Sequence, residues 1–468
     1  MDVAQIRALK PRLDDFLARF EDCFSRCDTR GHLAAYVTGQ LSDLAQKSVE
    51  PIALAAGIPP RTLQEFLARY QWDEDALRRR LHHIIARDHA GPHSVGLIDE
   101  TSDPKKGAKT PGVQRQHCGA VGKKDNCIVT VHLGYAAADF HTLLDGELFL
   151  PESWSSDRPR CRAAGVPDTM AYRPKTAIAL ELYDRAVGHG VHFEWLTFDE
   201  WYGAKPAFLQ ALDARGQKFV GEVHRDFVAW ARLPRVTERP YRRGSRGRPR
   251  RTPRLAAGSP RPMAAGDMLR YHAPLRDQGW VRYHVKDGEK GPMVWEAKAI
   301  PIYPRNEGGL PQRTYRLIVA RNALAPDEVK YFVSNAPLDA PLPTLLLVAF
   351  SRWRVERCFE DEKGELGLDH YEGRKYRGLK RHMILTAGSH LFLAEVHQEL
   401  RGEKPGVDGL PSADCGSGGR ELWCLGRVAV KQKRNGRTRK CHTQTTRKKF
   451  AALGIRLSRI PRCGWGLK

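Results

Sequence analysis

The sequence predicts an α/β protein, a mixed sheet with a β-rich insertion, preceded by an all-helical N-terminal segment. Three observations lead there. Over residues 1 to about 90, apolar side chains recur at helical spacing: Ile6, Leu9, Leu13, Phe16, Leu17, Phe20 and Phe24. From about 91 the pattern changes to short β-branched and aromatic runs that alternate with helical stretches. Two of these runs, 93–98 and 191–198, end in an aspartate, Asp99 and Asp199. Each is followed by small residues that predict a turn, Thr101-Ser102-Asp103-Pro104 and Tyr202-Gly203.

In the helical segment, residues 49–67 read as a short Ala-rich helix, a turn at Gly57 and a second helix, the layout of a helix-turn-helix. Arg61, Thr62 and Arg69 share one side of the second helix, away from Leu63, Phe66 and Leu67, and would face DNA in a major groove. An ordinary helical hairpin in a bundle has the same pattern. Strands are expected at 93–98, 126–135, 140–150, 191–198 and 218–224, with helices at 174–188 and 204–215. That order, β-β-β-α-β-α-β with carboxylates on the first and fourth strands, is the order of a ribonuclease-H-like domain. A carboxylate at the C-terminal end of a strand faces the mouth of a sheet, where α/β folds place their sites.

Residues 225–335 interrupt this order. Between 233 and 262 there are ten Arg and one acidic residue, Glu238, among many Pro and Gly, so no core forms there and a mobile basic loop is expected. Arg246-Gly247-Arg248-Pro249 within it looks like an AT-hook, whose arginines enter a minor groove, or else a solvated basic linker. Further strands are expected at 280–286, 293–300, 314–320 and 331–335, and a helix over 377–400. From 428 to 468 there are 13 Lys or Arg and no acidic residue, a tail suited to phosphates without sequence readout. The expected domains are a helical DNA-binding domain (1–90), a catalytic domain in two parts (91–224 and 336–400), the insertion (225–335) and the basic tail (401–468).

Composition narrows the partners. Lys plus Arg number 77 against 54 Asp plus Glu, a net charge of +23 that points to nucleic acid first and an anionic membrane second. No apolar run approaches the length of a membrane span, and the first residues lack the pattern of a signal peptide, so a cytoplasmic protein is expected. The ten cysteines include no Cys-x-x-Cys pair, which argues against zinc. They are expected to be reduced, with Cys23 and Cys27 as buried thiols on a helix.

The stretch 352–363 reads as helix, without Gly or Pro until Gly364. At about 100° per residue, Arg352, Glu356, Glu360 and Lys363 fall on one stripe beside Val355 and Phe359. On its own this is an ion-pair ladder of a surface helix. Together with Asp99 and Asp199 it supplies a third carboxylate, and three such groups can hold two divalent ions for in-line displacement at phosphate.

These motifs resemble those of bacterial insertion-sequence transposases of the DDE type. Residues 97–107 resemble the family's first-carboxylate motif, and 198–203 the second. Arg352, Glu356 and Lys363 fit the third, whose signature is Tyr, two residues, Arg, three residues, Glu, six residues, Lys. The Tyr position holds Ala349, a departure from the pattern. The long gap between the second and third motifs matches relatives with a β-rich insertion.

The resemblance implies cut-and-paste transposition, with Asp99, Asp199 and Glu356 as catalytic residues and ligands of two Mg2+ ions, for which Mn2+ can substitute. Arg352 and Lys363 would hold the phosphates beside the scissile bond. The partners it implies are double-stranded DNA, as terminal inverted repeats and target, and a second copy of the chain in the synaptic complex. A nucleoid-associated bacterial protein with no membrane partner is expected. Asp103 is a rival for Asp99, and Glu360 a candidate supporting ligand. A catalytically silent DNA-binding regulator and a metal nuclease without strand transfer are the alternative functions.

Overall fold

The computed structural model describes residues 3–237, 252–288 and 291–402. Arg246, Arg248 and the basic tail lie outside the described residues.

The chain opens with five helices, α1 (Val3–Ala18), α2 (Cys27–Leu41), α3 (Val49–Ala55), α4 (Pro60–Ala68) and α5 (Glu74–Asp88). The apolar periodicity that runs to Phe24 is divided: α1 stops at Ala18 and a 3-10 turn, Glu21–Cys23, follows. Phe20 and Phe24 are nevertheless buried. Cys23 is buried as expected, whereas Cys27 begins α2 and is exposed. Gly57, at φ +68°, makes the left-handed turn between α3 and α4 that a side chain would strain. Asp73 caps α5 by accepting from the amides of Asp75 and Ala76.

The sheet follows. Its first half comprises β1 (Val95–Pro104), β2 (Gln114–Cys118), β3 (Lys123–Ala137), β4 (Phe140–Leu148), helices α6 (Glu152–Ser155), α7 (Arg158–Ala164) and α8 (Lys175–Gly188), then β5 (Trp195–Phe198), α9 (Glu200–Gly203), α10 (Pro206–Ala214) and β6 (Phe219–Val223). The insertion adds β7 (Val228–Trp230), β8 (Val236–Thr237), β9 (Arg254–Leu255), β10 (Met263–Ala264), α11 (Ala265–Tyr271), α12 (Ala273–Arg276), β11 (Val281–Gly288), β12 (Gly291–Pro304), β13 (Tyr315–Asn322) and β14 (Val329–Ser334). Helices α13 (Leu342–Ser351), α14 (Trp353–Gly364) and α15 (Tyr376–Gly402) close the described chain.

Strand order is β10-β7-β12-β13-β14-β6-β5-β1-β3-β2, with β4 also on β3 and β11 on β12. β5 pairs in parallel with β1 and β6, and the other pairings of the sheet are antiparallel. The insertion is therefore not a separate β unit. Its last strand, β14, pairs with β6 and carries β13 and β12 as an extension of the same sheet.

Two local expectations are corrected. Thr101–Pro104 is strand rather than turn, because β3 is long enough to pair it as far as Pro104↔Cys127. The run 191–198 is strand only from Trp195; Val191 and Phe193 are buried without a ladder partner.

Each face of the sheet is covered. Val95, Leu97, Trp195, Val220 and Phe332 lie beneath α13 and α14, against Leu345, Val348, Val355 and Phe359. On the opposite face Ile98, Leu196, Phe198 and Phe219 pack with Ile178 and Leu182 of α8 and with Phe208 and Leu209 of α10. Helix α15 lies along β4 and against α2, α4 and α5. Its Arg381 is fully buried. It donates to the carbonyls of Phe66, Leu67, Tyr70 and Trp72 and to Glu74 Oε2 at 2.6 Å, which satisfies the open end of α4. Among the described residues no helix is long and apolar enough to cross a membrane.

Candidate active site

Parallel register builds the site. The last rungs of the ladder are Ile98↔Phe198 and Phe198↔Gly221. The next residues along β1, β5 and β6 are Asp99, Asp199 and Glu222, so three acidic residues stand in a row where the parallel pairing of adjacent strands ends. Side chains alternate along a strand, and Asp99 and Glu222 share the face of Leu97 and Val220, the face covered by α13 and α14. Asp99 is not at the end of its strand. It sits where β1 leaves β5 and continues against β3, opposite His132.

Asp199 terminates β5 and caps α9. Its Oδ1 accepts from the amides of Trp201 at 3.0 Å and Tyr202 at 3.1 Å. Helix α9 then presses on β6: a side chain at Gly203 would come within 2.0 Å of the Glu222 carbonyl oxygen, so only glycine fits there. That contact fixes Asp199 beside Glu222.

The third element, α14, brings Arg352 and Glu356. Arg352, at the α13–α14 junction, donates from Nη1 to Asp99 Oδ2 at 3.0 Å and from Nη2 to Glu356 Oε1 at 2.6 Å. Its Nε lies 3.9 Å from Glu222 Oε2. Asp99 and Glu356 are thus one guanidinium apart, with Asp199 and Glu222 beside them. Burial pushes the Asp99 carboxyl up to about 7 against the pull of Arg352, and the neighbouring Asp199 and Glu356 act in the same direction as burial. Burial also raises Asp199, opposed by the Tyr202 amide and by Arg352, with Glu222 among the groups that raise it.

Lys363 is engaged with β1: its Nζ is 3.0 Å from both the Ser102 carbonyl and Asp103 Oδ1. This pins α14 to the strand and occupies Asp103, the rival of Asp99, with an ion pair. Glu360 is exposed and lies within 3.5 Å of Arg357 Nη1. Ala349 is buried in α13, in the core of that face. Arg61 on α4 and Arg69 just after it are exposed and straddle Glu65, at 3.1 and 3.8 Å. Sequence reasoning missed Glu222. Its signal was faint but present: 219–223 is a strand with an acid near its end, as in the two motifs before it.

The donor set suits a hard divalent cation, since the acids that converge offer only carboxylate oxygens. The buried Asp99, beside Asp199 and Glu356, sits where added positive charge is stabilising. Among the described residues, however, no three such groups lie close enough to form a ready metal cage. The guanidinium of Arg352 stands between Asp99 and Glu356, so the carboxylates fit a metal only once it swings aside.

An α/β sheet with acids where its central parallel pairing ends has the layout of an active site. The family model described as DDE superfamily endonuclease matches residues 19–292, more than half of the chain, and the chain belongs to that family. The matched span holds Asp99, Asp199 and Glu222 and ends before Glu356. A curated relative from Microchaete diplosiphon, "Probable transposase for insertion sequence element IS701", is 30% identical over 214 residues, covering 42% of this chain and 53% of the relative. The chain thus spans about half the length of that relative.

Proposed function

We propose that this protein is an insertion-sequence transposase: a ribonuclease-H-like enzyme that cuts element ends from double-stranded DNA and joins them to a target. The observation that carries this reading is the row of acids where the parallel pairing of β1 and β5 ends, in register, with Glu356 bridged to Asp99 through Arg352. Asp99, Asp199 and Glu356 would hold two magnesium ions, or manganese in their place. Such ions supply an activated water or 3′-hydroxyl and stabilise the departing oxygen. Asp199 is oriented for this by its cap hydrogen bonds, and Glu356 by α14, which Lys363 anchors to β1. Arg352, released from the acids, would turn its planar fork to a phosphate beside the scissile bond.

Duplex DNA would meet α3 and α4 through Arg61 and Arg69, with Arg246, Arg248 and the basic tail as further contacts to phosphate and minor groove. Joining two ends at one target calls for a homodimer in the synaptic complex.

The resting pairing of Arg352 favours a second reading, a DNA-binding regulator without catalysis. One assay separates the readings. Purified protein is given the element's ends pre-cut with free 3′-hydroxyls, a target plasmid and Mg2+ or Mn2+. The transposase yields joined product. Nicking without joining identifies a nuclease, and binding without either identifies the silent regulator.

Arg352→Gln removes the cation that favours ionised Asp99. In the metal-free protein the Asp99 carboxyl is expected to titrate about one unit higher, since an adjacent opposite charge lowers a carboxyl by about that much or more. Carboxyl NMR titration in EDTA, variant against wild type, checks it; an unchanged midpoint dissociates Arg352 from the Asp99 carboxyl.

A further inference from the structure

We propose, resting on the transposase reading, that Tyr172, Phe149, Lys175, Trp201 and Lys205 form a track for an unpaired DNA strand beside the carboxylates. Trp201 is two residues past Asp199 and 40% exposed, and Tyr172 is 46% exposed. Between them the aromatic and cationic groups interleave. Lys175 Nζ lies 5.4 Å from the Phe149 ring centroid and 5.2 Å from that of Trp201. Lys205 Nζ lies 4.8 Å from the Trp201 ring. Phe149 and Tyr172 meet edge to face, with centroids 6.1 Å apart.

The strip is rigidly coupled to the catalytic residues. The Trp201 amide donates to Asp199 Oδ1, and its ring packs at 5.0 Å on the buried ring of Tyr202. Lys175 is held by Glu100 Oε1 at 2.7 Å, and Glu100 follows Asp99. Exposed rings flanked by lysines fit a chain of π-faces joined by phosphates, which is a single strand. In a duplex the base faces are already stacked and unavailable. The occupant is therefore unpaired DNA adjacent to the scissile phosphate, the strand that cleavage frees or that must open for it.

The test uses the full chain at physiological salt in EDTA, with a duplex that carries a short single-stranded overhang containing 2-aminopurine, and a blunt duplex as reference. The wild type should quench 2-aminopurine by stacking. Trp201→Ala should abolish the quench and weaken overhang binding about tenfold. Blunt-duplex affinity should stay within about twofold, because a blunt duplex offers the track no free base face, and Trp201→Phe should retain most of the quench, because the quench depends on stacking alone. Lys205→Gln should lower the salt slope on overhang DNA by about 0.7 and leave the blunt-duplex slope unchanged. Equal quenching by Trp201→Ala, or equal losses on both DNAs, overturns the proposal. Because binding is read without metal, the two readings fail separately. Trp201-dependent quenching in EDTA, with no cleavage or joining in the separate Mg2+ or Mn2+ assay, keeps the track and removes the transposase; cleavage and joining in that assay without such quenching does the reverse.

Discussion

Asp199→Asn should reduce metal-dependent strand cleavage at least about a thousandfold while leaving affinity for the element's end DNA within about twofold. The substitution isolates charge from shape. Asparagine is as good a helix cap as aspartate, so the amides of Trp201 and Tyr202 keep their acceptor and α9 keeps its position. Only the anionic oxygen needed to hold a dication is lost. Asp99→Asn and Glu356→Gln should give losses of similar size, because a metal-dependent displacement fails when any one of its carboxylate ligands is neutral. The measurement is nicking of a plasmid carrying the element's own ends, in Mg2+ and then Mn2+, beside a gel-shift of the same ends. Parallel loss of DNA binding in all three variants would sink the assignment, since it would mean that these acids maintain the fold and not the chemistry. Glu222→Gln is the informative contrast. Glu222 stands in the same row but also pairs with Lys330 at 2.7 Å, so a partial loss is consistent with support of Arg352 and a complete loss with direct ligation.

Much of this site was legible in the sequence, because its signals are local. Strands β3 and β4, helices α8 and α10 and strand β6 fall within a few residues of the runs that predict them, and the α3–turn–α4 layout follows from alanines, Gly57 and apolar spacing. Asp99 and Asp199 were visible as acids after apolar runs. What was hidden depends on register and packing. Thr101-Ser102-Asp103-Pro104 has turn composition, and only the length of β3 makes it strand. Glu222 becomes a member of the site when β6 aligns with β5, a pairing that nothing within 219–223 specifies. The insertion reads as an independent β unit until β14 is placed against β6. Cations show the same limit. Lys47 and Arg381 look solvated in sequence, yet both are buried, with Lys47 Nζ donating to the carbonyls of Gln40 at 2.5 Å and Ser42 at 2.6 Å and to that of Glu365. Every partner of Arg381, and Glu365 among those of Lys47, lies far along the chain, so no window of sequence contains the whole cause of their burial.

The largest effect on stability is expected at Asp145. Its buried carboxylate receives Arg78 Nε of α5 at 3.1 Å and Arg185 Nη1 of α8 at 2.6 Å, and so joins two helices to β4. Asp145→Ala should cost about 3–5 kcal/mol, because it takes the buried partner from the nearly fully buried Arg78 and leaves it only the exposed Asp75. Urea unfolding followed by tryptophan fluorescence measures the loss; a cost below about 1 kcal/mol would show that the cluster relaxes into water. The pH dependence has a definite sign. Burial alone would raise this carboxyl, but Arg78 and then Arg185 outweigh it and hold it down at about 2. The unfolded chain, with the group near its usual value, binds the proton more readily. The stabilisation is therefore complete above about pH 4 and drains away as pH falls toward 2, a contribution of about 2–3 kcal/mol that Asp145→Asn should lack. If the penalty in Asp145→Ala comes from the stranded guanidinium rather than from lost attraction, Arg78→Met in the same chain should return part of the stability. A double variant less stable than Asp145→Ala would instead assign Arg78 a role independent of the pair, through its contact with Asp75.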